Sequence, residues 1–238
     1  MERPDPPRSK PSLLRITIRR AIVTGRTYLI AGIIATLAYG LIFAATSGQA
    51  FSEAFPLLLP VFGVTGGLGS LLVFTNDRIK GVLEYLMAYG VSPRRVFVNF
   101  LLASLALTTI VVAVTVPTAL GIFLVRGNHI TAALVELLGL YGVPMAYASV
   151  AFTSSLGIFW TSLSSPRTGM NSPLGVLPII GIAPSLATLF IALTLKATTA
   201  VPFLAVTGAS VGLVAAVVVV LLMFMGRLLP RERLLSPA

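Results

Sequence analysis

NDRIKGVLEYLMAYGVSPRRVFVNF, residues 76–100, is a polar interruption flanked on both sides by long apolar runs. It holds two of the seven acidic residues and four of the seventeen basic ones. A structured polar segment between two hydrophobic spans has to lie at a membrane surface, within reach of a soluble molecule.

Of the 238 residues 56% are hydrophobic and only 10% charged, and the mean hydropathy is +0.98. Soluble domains carry about 25% charged residues. A hydrocarbon core about 30 Å thick asks for roughly 20 apolar residues per helix, and several such runs are present. The fold class expected is therefore an all-α integral membrane protein, with no polar stretch long enough to bury a core of its own. A net charge of +10 in a soluble protein would suggest nucleic acid. Here the basic residues cluster at the ends of apolar runs, so lipid headgroups and topology account for them and no nucleic-acid partner is expected. Cysteine is absent and His129 is the one histidine, which excludes disulfides, thiolate chemistry and multi-histidine metal sites. No cofactor or metal is expected on this chain.

Residues 1–12 are Pro-rich, charged and expected to be disordered; they lack the order of a signal peptide. From Leu13 to Arg26 the spacing of Leu14, Ile18, Ala21, Ile22 and Gly25 against Arg15, Arg19 and Arg26 predicts an amphipathic helix lying in the interface. A single transmembrane domain, 13–238, then follows with six expected spans at about 27–46, 55–75, 96–125, 131–162, 173–195 and 202–225. Pro117 predicts a kink and Pro144 an interruption. In the loop SSPRTGMNSP, Ser172 and Pro173 read as an N-cap and first helical residue. With six spans, fifteen of the seventeen basic residues fall on one side and only Arg126 and Lys196 on the other. Both termini and the 76–100 segment are then cytoplasmic.

Within that segment Ile79, Val82, Leu83, Leu86 and Tyr89 or Gly90 recur at helical spacing. A short amphipathic helix over about 77–90 is predicted, capped by Asn76 or Asp77 and ended by Gly90 in a left-handed conformation. Ser92 and Pro93 restart a helix.

This segment resembles one found in the permeases of type-2 ABC exporters. The pattern there is acidic and basic residues, Gly-x-Leu-Glu, an apolar pair, then Ser with nearby Pro and basic residues. It is carried here by Asp77, Arg78, Gly81, Leu83, Glu84, Leu86, Met87, Ser92, Pro93, Arg94 and Arg95. The six spans, the interfacial helix and the chain length also fit. Val82 stands where the family often has Thr, and Gly90 where it often has Pro. The resemblance implies a coupling helix that docks into a groove on a separate ABC ATPase subunit, where Glu84 meets a basic group. It further implies ATP and Mg on that partner, none on this chain, and a second permease copy, identical or a paralogue, in the cell membrane. The permease itself would not be an enzyme. The plainer readings are an exposed pair of Glu84 with Lys80, four residues apart, and Arg94 and Arg95 as ordinary span-end residues.

Elsewhere chemistry-bearing residues are sparse. Glu136 is the one carboxylate expected to approach membrane depth, and so the one candidate on a pathway. Gly63-x-x-x-Gly67 and Gly208-x-x-x-Gly212 predict close helix contacts, within or between subunits. The run Gly63, Gly66, Gly67, Gly69 is no phosphate loop, since no Lys-Ser/Thr follows. Thr108, Thr109, Thr115, Thr153, Ser154 and Ser155 either line a pathway or bond backbone carbonyls. An ion-gradient carrier is the alternative, and it should show buried carboxylates or matching broken helices in its two halves. An intramembrane enzyme is nearly excluded by the lack of a nucleophile with a base.

Overall fold

A computed structural model describes residues 12–46, 48–163, 177–195 and 200–228. The expected disordered N-terminus up to residue 11, the loop with Ser172 and Pro173, most of the turn after Leu195, and the basic tail from residue 229 lie outside them. Every element among the described residues is helical: α1 (Leu13–Thr46), α2 (Gly48–Ile79), α3 (Val82–Ala88), α4 (Pro93–Val125), α5 (Ala132–Leu137), a π-helical turn (Leu138–Gly142), α6 (Val143–Leu163), α7 (Leu177–Gly181), α8 (Ala183–Thr194) and α9 (Ala200–Leu228). Five stretches are long and apolar enough to cross a membrane: Leu13–Tyr39, Phe51–Ile79, Pro93–Val125, Ala132–Ser162 and Pro202–Met225. The chain is an all-α, multi-pass membrane protein.

The expected boundary near residue 27 does not appear. α1 is one helix of 34 residues, about 51 Å long at 1.5 Å per residue, so its arginine-bearing first turns extend past a core of about 30 Å. Its buried stripe is Thr17, Ala21, Gly25, Leu29, Gly32 and Thr36; of the predicted face Ala21 and Gly25 belong to it, while Leu14 and Ile18 are half-buried and Ile22 is exposed. The stripe is narrow because α1 lies along α2 at a point where the backbones nearly touch. A Cβ on Gly25 would overlap the Cα of Gly69. In lipid, helices associate through such close packing rather than through apolar burial.

The Gly63-x-x-x-Gly67 pair serves an interface within the chain, against α6. A Cβ on Gly63 would stand 3.0 Å from that of Ala146, and one on Gly67 2.7 Å from Val150 Cγ1. The Gly208 and Gly212 positions on α9 have nothing within 4 Å, and only 11% of the α9 span is buried.

Two prolines interrupt the C-terminal half. Pro144 would clash with the carbonyl four residues before it in an α-helix. The preceding turn widens to a π turn and the helix continues as α6. The span expected at 173–195 is split among its described residues: α7 and α8 are 5 and 12 residues long and meet at Ile182, just before Pro184. The two interruptions touch, since the buried Tyr141 hydroxyl donates to the Ser185 carbonyl at 3.1 Å. By contrast α4 runs through Pro117 and α2 through Pro56 and Pro60 unbroken.

This packing predicts that Gly67→Leu forces Val150 aside and destabilises the protein by about 1–3 kcal/mol, the usual cost of overpacking. The thermal unfolding midpoint in detergent should fall. Gly208→Ala, facing open space, should leave it unchanged.

Candidate functional site

The end of the bundle that carries most of the described basic residues is built from the start of α1, the end of α2, α3 and the start of α4. α2 does not stop at residue 75. It runs to Ile79, so Asn76, Asp77 and Arg78 form its last turn rather than the cap of the next helix. The break comes at Gly81, whose φ of 69° is left-handed and costs glycine nothing. The expected 77–90 helix is therefore shortened to the seven residues of α3.

The far end of α3 follows its local chemistry. Gly90 takes φ 85°, and the amides of Gly90 and Val91 donate to the carbonyls of Met87 and Leu86 at 2.9 and 3.0 Å. This is the double closure of a helix ended by a left-handed glycine. Ser92 then caps α4, accepting from the Arg95 amide at 3.3 Å, with Pro93 as the first helical residue.

Asp77 is buried, and it does not face the surface. Arg20 on α1 holds it with both guanidinium nitrogens, Nη1 to Oδ2 at 2.8 Å and Nη2 to Oδ1. Sequence reasoning missed this partner; only its Arg-rich stretch signalled a counter-charge. The face of α3 is also rotated from expectation. Leu83 and Met87 are buried in one cluster with Ala21, Phe74, Phe97, Phe100, Leu221 and Met225, and Phe74 stands edge-on to Phe100. Val82 and Leu86 are half-buried. Ile79, Tyr85 and Tyr89 project outward, 68%, 70% and 85% exposed. Two tyrosines four residues apart were the overlooked signal for an outward stripe.

Glu84 is half-buried. Its Oε2 lies over the open side of Gly81, is shielded from solvent and accepts no hydrogen bond. The Arg78 guanidinium feels its charge. Among the described residues no ion pair joins Glu84 to Lys80. Arg94 and Arg95 are exposed, as is Ser92. The site thus sets Ile79, Tyr85 and Tyr89 outward, with the half-buried Glu84 folded over Gly81, while Asp77 and Leu83 hold it from within.

At the opposite end Glu136 is exposed on α5, and exposed His129 belongs to a cleft of about 470 Å³ with Glu53, Asn128 and Thr131. In the spans the hydroxyls mostly bond back to their own helices. Thr108, Thr109, Thr115, Thr153 and Ser155 each donate to the carbonyl four residues earlier. The buried Ser149 and Thr207 hydroxyls have no partner in the structure. No group of three or more metal-ligating side chains occurs among the described residues.

The chain matches no protein-family model, and comparison with curated proteins and with solved structures found no match.

Removing Arg20 strands a buried carboxylate. Arg20→Ala should cost about 2 kcal/mol, the low end for such truncations, because Arg20 is itself 46% exposed. The double variant Arg20→Ala/Asp77→Asn should recover part of the loss in thermal midpoint, and additivity of the two single effects would show that the pair contributes nothing.

Proposed function

We propose that this chain is the membrane permease subunit of an ATP-driven ABC transporter, an exporter, coupled to a separate ATP-binding subunit through α3. The observation that carries the reading is the outward group of Tyr85 on α3, Tyr89 just past its end and Ile79 at the end of α2, on a short helix clamped at the basic end of the bundle. Large exposed apolar and aromatic side chains within a polar rim mark a protein contact, and tyrosines are among the residues that dominate such contacts. Lys80 and the half-buried Glu84 supply charge beside them. The pattern through Gly81, Leu83, Glu84, Ser92, Pro93 and Arg95, similar to that of type-2 exporter permeases, supports the same assignment.

The packing offers a route for force. Leu83 and Met87 share a cluster with residues of α1, α2, α4 and α9, and the Arg20–Asp77 clamp ties α1 to the root of α3. A push on α3 is thereby delivered to the ends of four helices. In this reading the basic end faces the cytoplasm of the cell, six spans cross the membrane with α7–α8 belonging to the fifth, and ATP and Mg bind the partner. The pathway forms with a second permease copy, and the scant burial of α9 leaves a face for that copy or for lipid.

The gradient-driven alternative finds less support. Glu136 is exposed at the rim, buried Asp77 is already neutralised, and both helix interruptions lie in one half of the chain.

Affinity capture of the tagged permease from its native membrane, with an ATPase assay, tests the reading. An ATP-binding subunit should accompany the wild type. Tyr85→Ala/Tyr89→Ala should reduce its recovery at least tenfold, since each hot-spot truncation exceeds about 1 kcal/mol. Glu84→Lys should leave ATP hydrolysis uncoupled from the permease. Absence of any ATP-binding protein in mild detergent would sink the proposal.

A further inference from the structure

Between the start of α4 and the end of α9 lies a groove of about 380 Å³, lined by Arg94, Val220, Met223 and Phe224. We propose that it holds one anionic phospholipid of the surrounding bilayer, with its phosphate on Arg94 and an acyl chain along the α9 residues. The volume is within the range of about 300–1,000 Å³ that takes small-molecule ligands. Arg94 is exposed and has no ion-pair partner among the described residues, and a guanidinium meets a phosphate through two parallel hydrogen bonds. The other wall is apolar, with Val220, Met223 and Phe224 47%, 60% and 47% exposed. Methionine adapts its shape to such a chain.

Position decides between lipid and a soluble partner. Val220, Met223 and Phe224 belong to the membrane-spanning stretch Pro202–Met225, where a soluble subunit cannot reach. Arg94 stands at the charged end of α4, the level of the headgroups. An occupant must therefore be charged at one end and hydrocarbon at the other. This removes Arg94 from the residues that the family resemblance assigns to coupling, and it is independent of the transport reading.

Native mass spectrometry of the detergent-purified full chain, titrated with phosphatidylglycerol or with phosphatidylcholine of the same acyl chains, tests the site. One phosphatidylglycerol should bind in preference to phosphatidylcholine. Arg94→Ala should weaken it about fivefold, the value of one basic residue beside anionic lipid. Arg95→Ala, which does not line the groove, should stay within twofold of wild type. Met223→Trp, filling the apolar wall, should weaken both lipids. Equal losses in Arg94→Ala and Arg95→Ala would reduce the effect to general surface attraction and overturn the site. Full displacement by inorganic phosphate would overturn the lipid assignment. So would an Arg94→Ala protein that keeps its lipid but no longer captures a soluble subunit.

Discussion

A bilayer interior supplies no water to hydrogen-bond a free amide or carbonyl, so each spanning backbone must satisfy itself. That constraint explains why α1, α2, α4 and α9 run 29 residues or more without a break. It also explains why span hydroxyls turn back to carbonyls of their own turn. Where proline interrupts a helix, neighbouring elements pack against the break. The π turn before Pro144 sets Gly142 against the Pro56 backbone, with a carbonyl 3.0 Å from where a Cβ would sit. The Tyr141 hydroxyl donates to the Ser185 carbonyl beside the second interruption.

The same solvent makes an isolated charge costly, and the one buried carboxylate among the described residues shows how that cost is met. Asp77 is removed from water only because Arg20 grips both of its oxygens while remaining partly exposed itself. Burying an unpaired ion would cost several kcal/mol. The pair therefore does more than stabilise: it fixes the start of α1 against the last turn of α2, which is where the chain turns into α3.

With its root clamped and both ends closed by left-handed glycines, α3 has little freedom of its own. Two side chains anchor it inward and two tyrosines face out. This arrangement suits a part that transmits displacement rather than one that adapts its shape to a ligand, as the proposed coupling role would require. The groove beside Arg94 belongs to the bilayer side of the same end. The proposed soluble contact and the proposed lipid contact would thus occupy neighbouring but separate surfaces.

Much was legible in the residues because it depends on local chemistry. Composition and run length determined the all-helical membrane class. Gly90 closing α3 and Ser92–Pro93 opening α4 follow from φ preference and capping geometry, which act within four residues. Proximity in space was not legible. Arg20 and Asp77 are 57 positions apart, and nothing local told Asp77 that it would be buried rather than cap a helix. The outward turn of Tyr85 and Tyr89 was decided by which cluster accepted Leu83 and Met87, because a periodic stripe shows that a face exists without showing which neighbour covers it. The same holds for the glycine pairs: spacing alone made Gly63/Gly67 and Gly208/Gly212 equivalent. Tertiary packing placed α6 against the first and left the second open, because close approach needs a partner backbone that only the folded chain supplies.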